Sequence, residues 1–150
     1  MTLTLNPNLL KSVSAFLGGV FFIYVGVLHF IDTSWFEPIV PPIFGFPTFW
    51  VLISGVAEIA VGIALLAPPT RKTAGYASAL LLIAVYPANL YMWVYNIELG
   101  DGSSLSPTGH VIRLLLQVAG IMISLWIAGW SLKTQEKTYN LCTICGSVKS

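Results

Sequence analysis

Charge is what this 150-residue sequence has least of. Seven Lys and Arg and six Asp and Glu make up 9% of it, against about 25% in ordinary soluble domains. With 56% hydrophobic residues beside that shortage, a separate soluble domain is excluded. The net charge of +1 comes from dispersed Lys and Arg, so there is no basic face to hold nucleic acid. Cysteine is nearly absent. Cys142 and Cys145 both fall in the last ten residues, where no disulfide between them can staple the body of the chain. The sequence also has no nucleotide fingerprint, phosphate loop, haem-attachment motif or hydrolase triad, which argues against a self-sufficient enzyme. No second His or Cys stands at metal-ligand spacing from His29 inside the apolar runs, so no metal is expected, and His110 alone makes a poor metal ligand.

What fills the space is hydrophobic length. Four apolar runs, Ser12 to Ile31, Thr48 to Ala67, Ala74 to Tyr95 and Val111 to Leu132, are each near the ~20 residues that a membrane-crossing helix needs. The expected fold is an all-α, four-helix transmembrane bundle over residues 12–132, with a short leader at 1–11 and a tail at 133–150. The first run is longer than a signal-peptide core, and no small-x-small cleavage site precedes Asp32, so it reads as a retained helix. Loops one and three carry the acids Asp32, Glu37, Glu98 and Asp101. The second loop carries Arg71 and Lys72, and the tail Lys133, Lys137 and Lys149. The positive-inside rule then puts both termini in the cytoplasm.

The first loop holds four prolines and five aromatics between Asp32 and Phe49. It is expected to run extended across the bundle mouth as an interfacial lid, with Trp35, Pro41 and Pro42 as its characteristic residues. The third loop, rich in Gly, Ser and Asp, is expected to be the most mobile part of that face.

One acid sits in the middle of an apolar run. Ten residues at ~1.5 Å rise place Glu58 about 15 Å into the second helix, half-way across the hydrocarbon, where a charge costs about 2.5–3.5 kcal/mol. Helical spacing gives each span one stripe of small and polar residues. These are Ser14, Gly18, Phe22, Gly26 and His29; Gly55, Glu58 and Gly62; Gly75, Ser78, Leu82, Tyr86, Asn89 and Trp93; and Arg113, Gln117, Gly120 and Ser124. Such stripes let membrane helices approach and hydrogen-bond. The expected site is a convergent polar core of His29, Glu58, Tyr86, Asn89, Arg113 and Gln117, with Pro87 breaking one backbone bond beside Asn89. The plainer reading is that Glu58 and Arg113 neutralise each other and only hold helix register. The C-x-x-C at Cys142 and Cys145 lacks both a strand-to-helix setting and a second pair, and reads as a tail feature without a role in the bundle.

GVLHF closing the first helix, Pro41 and Pro42 in an aromatic loop and SGVAEI in the second helix follow one another in a familiar order. With Arg71 and Lys72, PANLYM on the third helix, and Arg113 with Gln117 on the fourth, they resemble the DoxX-like membrane proteins over roughly residues 14–130. The long third loop and the CTIC tail depart from that pattern. The resemblance implies a four-helix bundle with cytoplasmic ends. Members of the wider family are associated with thiosulfate:quinone oxidoreductase or with thiol and oxidative-stress systems, and distant eukaryotic relatives act in receptor assembly. The expectation is an accessory membrane protein that binds a small lipophilic or quinone-like molecule or supports a membrane redox partner. The alternative is an assembly or chaperone protein that holds client proteins and has a purely structural polar core. A proton-coupled transporter fits less well, because four short spans show no inverted repeat. The bilayer is the one partner common to these readings, and a homo-oligomer is compatible with each.

Overall fold

The computed structural model describes residues 6–130, so Cys142, Cys145 and the tail lysines lie outside the described residues. The chain is all-α. Four long helices, α1 (Pro7–Ile31), α3 (Pro47–Leu66), α4 (Arg71–Val94) and α5 (Pro107–Ile127), run up and down. A single-turn helix, α2 (Thr33–Phe36), and two 3₁₀ turns, Glu37–Ile39 and Pro42–Phe44, form the first loop. Each long helix is apolar and long enough to cross a bilayer. Their outer surfaces are greasy throughout, with Phe16, Leu17, Leu115 and Leu116 all more than half exposed. A lateral surface of this kind belongs in lipid, and the chain is a multi-pass membrane protein.

Local chemistry explains the helix ends. Asn6 caps α1 by accepting from the Asn8 N–H at 3.0 Å, and Pro7 occupies the first turn. The fourth span starts at Pro107 and ends at Ile127, several residues ahead of the expected window. Ser106 accepts from the Gly109 N–H at 3.2 Å, and Gly129 leaves the helix at φ 87°.

The lid differs from expectation. Its prolines hold it extended only in part: Pro41, at φ −57° and ψ 135°, is extended, whereas Pro38 and Pro42 stand in the two 3₁₀ turns and Pro47 opens α3, where a fixed φ and a missing N–H favour a helical turn. The third loop is pinned. Leu99 is buried, its N–H donates to Ser103 O at 2.8 Å, and the Gly100 N–H donates to Trp35 O at 3.2 Å. Gly100 packs so closely that a Cβ would lie 2.7 Å from Trp35 Cα.

The bundle is assembled from two tight antiparallel pairs. In α1 the buried residues are Ala15, Gly19, Phe22, Gly26 and His29. In α3 they are Val51, Gly55, Glu58, Gly62 and Leu65. Both sets step by four and three, the 3.5-residue period of a coiled-coil seam. Gly19 faces Gly62 and Gly26 faces Gly55, so closely that a Cβ on Gly19 or Gly26 would fall 2.8 Å from the opposing carbonyl oxygen. The expected stripe carried Ser14 and Gly18 instead. A 3.5-residue seam drifts from a straight 3.6-residue helix and selects Ala15 and Gly19 toward the N-terminus, and both Ser14 and Gly18 are only half-buried.

The α4–α5 pair follows the same rule. Gly75 abuts Ser124 and Ala128, a Cβ there falling 2.7 Å from Ser124 O. Arg71, at the opposite end from the lid, donates to Leu65 O at 3.3 Å and to Ser12 Oγ at 3.1 Å, and so joins α4 to both α1 and α3. Lys11 lies 5.5 Å from the centre of the Trp126 ring, which brings the two ends of the described chain to one side of the bundle.

Candidate functional site

The expected polar core is divided into two groups, one on each helix pair. On the α1–α3 seam His29 and Glu58 are both buried, with Nδ1 and Oε2 3.4 Å apart. His29 Nδ1 is 2.8 Å from Val25 O, and a carbonyl only accepts, so Nδ1 carries the ring proton and spends it on the backbone. Glu58 Oε2 is left buried with no hydrogen-bond partner. Over the histidine lies the lid: Phe36 stacks on the His29 ring at 4.0 Å between centroids and 16° between planes, and Trp35 meets Phe36 edge-on at 4.8 Å. Thr33 Oγ1 donates to His29 O at 2.7 Å, tying the lid's first turn to the same histidine.

On the α4–α5 seam Asn89 Nδ2 donates to Gln117 Oε1 at 2.8 Å, and Gln117 Nε2 donates to Leu82 O at 2.7 Å. Pro87, having no N–H, leaves the Ile83 carbonyl without its usual donor one turn back, so Gln117 supports the backbone beside the weakened position. Both polar ends of the Gln117 amide are thus hydrogen-bonded. Tyr86 stands apart from it, lining an outward apolar groove of about 180 Å³ with Trp93, Leu114 and Val118.

Arg113 and Glu58 do not pair. Among the described residues the ion-pair distance within 4.0 Å is that of His29 and Glu58. Arg113 instead directs Nη1 at Met92 Sδ, 3.4 Å away. Met92 is fully buried and packs with Phe36, Ile39, Val51 and Leu99 in an apolar plug under the lid. Phe36 of that plug stacks on His29 and Met92 takes Arg113 Nη1, so Arg113 is engaged by the plug and not by Glu58. The lid residues Trp35 and Pro41 are half-buried, whereas Pro42 is exposed.

Three residues of this region were not legible as site members. Phe36 and Met92 carry no chemistry that marks them in the sequence. His110, a poor metal ligand by itself, is 3% exposed, stacks on Trp93 at 6.4 Å and leaves Nε2 unpartnered. The available signal was its spacing to Gln117, seven residues and therefore one seam repeat. Among the described residues no cluster of three or more His, Cys, Asp or Glu could hold a metal.

This architecture is that of a small multi-pass membrane protein with a buried, partly unsatisfied acid–imidazole pair under an aromatic lid. A family model described as a domain of unknown function (DUF8561) matches residues 17–128. The matched stretch takes in α1 from residue 17, the lid and the other three long helices, and the chain belongs to that family. Neither the curated proteins nor the solved structures give a match.

Proposed function

We propose that this chain is a DoxX-like accessory membrane protein whose His29–Glu58 pair receives the polar end of a small lipophilic molecule, a quinone or quinol, on behalf of a membrane redox partner. One observation carries the reading: Glu58 Oε2 is buried, 3.4 Å from His29 Nδ1, and lacks a hydrogen-bond partner. An orphaned buried polar atom costs about 1–3 kcal/mol, and ionisable groups at membrane depth are retained where they do something. A carboxylate oxygen there accepts from a quinol hydroxyl, and a protonated one donates to a quinone carbonyl. Phe36 supports the same chemistry. It lies flat on His29 in the place that a planar ligand ring would take, and it belongs to the lid rather than to a spanning helix.

The orientation that accompanies this reading puts the Lys11, Arg71 and Lys72 end in the cytoplasm and the acidic lid outside. A second reading, assembly of membrane complexes with a structural polar core, draws on the Asn89–Gln117–Leu82 chain, whose hydrogen bonds join α4 to α5.

The test uses the full chain purified in mild detergent from native membranes, wild type beside Glu58→Gln, with mass spectrometry of the small molecules and proteins retained. Gln keeps the shape and removes the acid. Quinone enriched on the wild type and lost from a folded Glu58→Gln protein supports the ligand site. Equal small-molecule content in both, with the same protein partners, replaces it with the assembly reading.

A further inference from the structure

At the lid end a second feature is unused by the pair below it. An open cavity of about 300 Å³ is walled by Pro38, Pro41, Pro42 and Pro47, with Tyr91 of α4 and Glu37 in its lining. That volume is at the lower limit of small-molecule sites. The walls are rigid, since four proline rings fix the backbone around the cavity and Gly45, at φ 57°, turns the chain between the 3₁₀ turn and α3.

Glu37 is held in place: Thr48 Oγ1 donates to its Oε1 across the loop. No Lys or Arg of the described residues lies within 4.0 Å of it, so Oε2 is a placed negative charge with no counter-ion. The acids of this end, Asp32, Glu37, Glu98 and Asp101, add a field of the same sign, and the loops here contain no Lys or Arg. Beside the cavity Ile43 and Phe46 project with 88% and 84% of their surface exposed, and Phe44 and Trp50 are partly exposed. An apolar and aromatic tip of this kind lies at the level of lipid headgroups, which puts the cavity there too.

We infer that this proline-walled cavity binds the ammonium headgroup of a zwitterionic aminophospholipid, with Glu37 as the counter-charge and Tyr91 as the aromatic contact. The ammonium meets a carboxylate and a ring face, the two groups that favour it. The proline rings cover its methylene groups, and the acyl chains run down the apolar flank of the bundle. An anionic headgroup such as phosphatidylglycerol has no cation to offer, gains none of this and brings its phosphate charge to Glu37 without an ammonium to offset it.

The experiment takes the full chain in detergent, supplies equimolar dioleoyl phosphatidylethanolamine and dioleoyl phosphatidylglycerol, and reads retained lipid by native mass spectrometry. The wild type is compared with Glu37→Gln and Thr48→Val. Both positions are outside the helix seams, so the variants fold. The wild type should keep phosphatidylethanolamine over phosphatidylglycerol by about two- to fivefold, the range that one partly exposed charge contact supplies. Glu37→Gln should remove most of that preference, and Thr48→Val should fall between. Adding free ethanolamine at millimolar concentration should leave the retained lipid in place. Equal retention of both lipids by the wild type, an unchanged preference in Glu37→Gln, or displacement by free ethanolamine each overturns the inference.

Discussion

The sharpest consequence of the fold concerns two adjacent glycines. Gly19 lies in the α1–α3 seam, and a Cβ there would sit 2.8 Å from Gly62 O and 2.9 Å from Leu66 Cδ2. Leu66 can turn away, but a backbone oxygen in the middle of a helix cannot. Alanine at 19 must therefore push the helices apart by about half an ångström to restore ordinary contact. Overpacking of this kind costs about 1–3 kcal/mol, and the helix propensity of alanine returns up to ~1. Gly19→Ala should lose about 1–2 kcal/mol. Gly18 is next in sequence, but its Cβ would meet only Leu65 Cδ1, at 3.9 Å. Gly18→Ala should change stability by ~0 to +1 kcal/mol, from propensity alone. The assay is reversible unfolding of the full chain in mixed micelles, or steric trapping in bicelles. Adding Gly62→Ala to Gly19→Ala should cost less than it does alone, because the two alanines strain one contact. Equal losses at 18 and 19, or none at 19, would refute the 3.5-residue seam.

Gln117→Leu removes the bonds to Asn89 and to Leu82 O and should destabilise the bundle by about 1–2 kcal/mol, at the ~0.6 kcal/mol average and ~1.7 maximum of bonds between membrane helices. A double-mutant cycle with Asn89→Leu checks this, and strict additivity would show that the pair does not interact. At the lid end, the Ser103 hydroxyl, followed by the Ser103 N–H and the Trp35 side chain, holds the Asp101 carboxyl below its ordinary value of 3.8. A depressed carboxyl contributes stability that is present above the ordinary value and lost as pH falls through the lowered one. Amide protection of Ser103 should hold steady above about pH 4 and decline below it, and Asp101→Asn should flatten that profile. A decline at the same pH in Asp101→Asn assigns the effect to another group.

Much of the architecture was legible from composition. Four apolar runs with few charges require four spanning helices, because a backbone in hydrocarbon must satisfy itself internally. The residues that set the α3 seam, Gly55, Glu58 and Gly62, were readable because two spacings near the middle of a helix, of three and four residues, fall on one face under either period. Toward the helix ends the two periods diverge, and Ser14 and Gly18 were chosen where the structure buries Ala15 and Gly19. Most of the lid's prolines were misread because the same fixed φ serves an extended segment and the first residue of a 3₁₀ turn.

By itself, then, the sequence determined the class of protein, the number of crossings, the acidic and basic ends and the presence of a buried acid, all of which follow from the cost of exposing polar groups to lipid. Tertiary structure decided which partner each polar group met. Glu58 went to His29 rather than Arg113, Gln117 went to Asn89 and a backbone carbonyl, and Arg113 went to Met92. Periodicity places a side chain on a face. Which neighbour that face meets depends on how the helices pair, and here close glycine contacts join α1 to α3, while Gly75 brings α4 against α5.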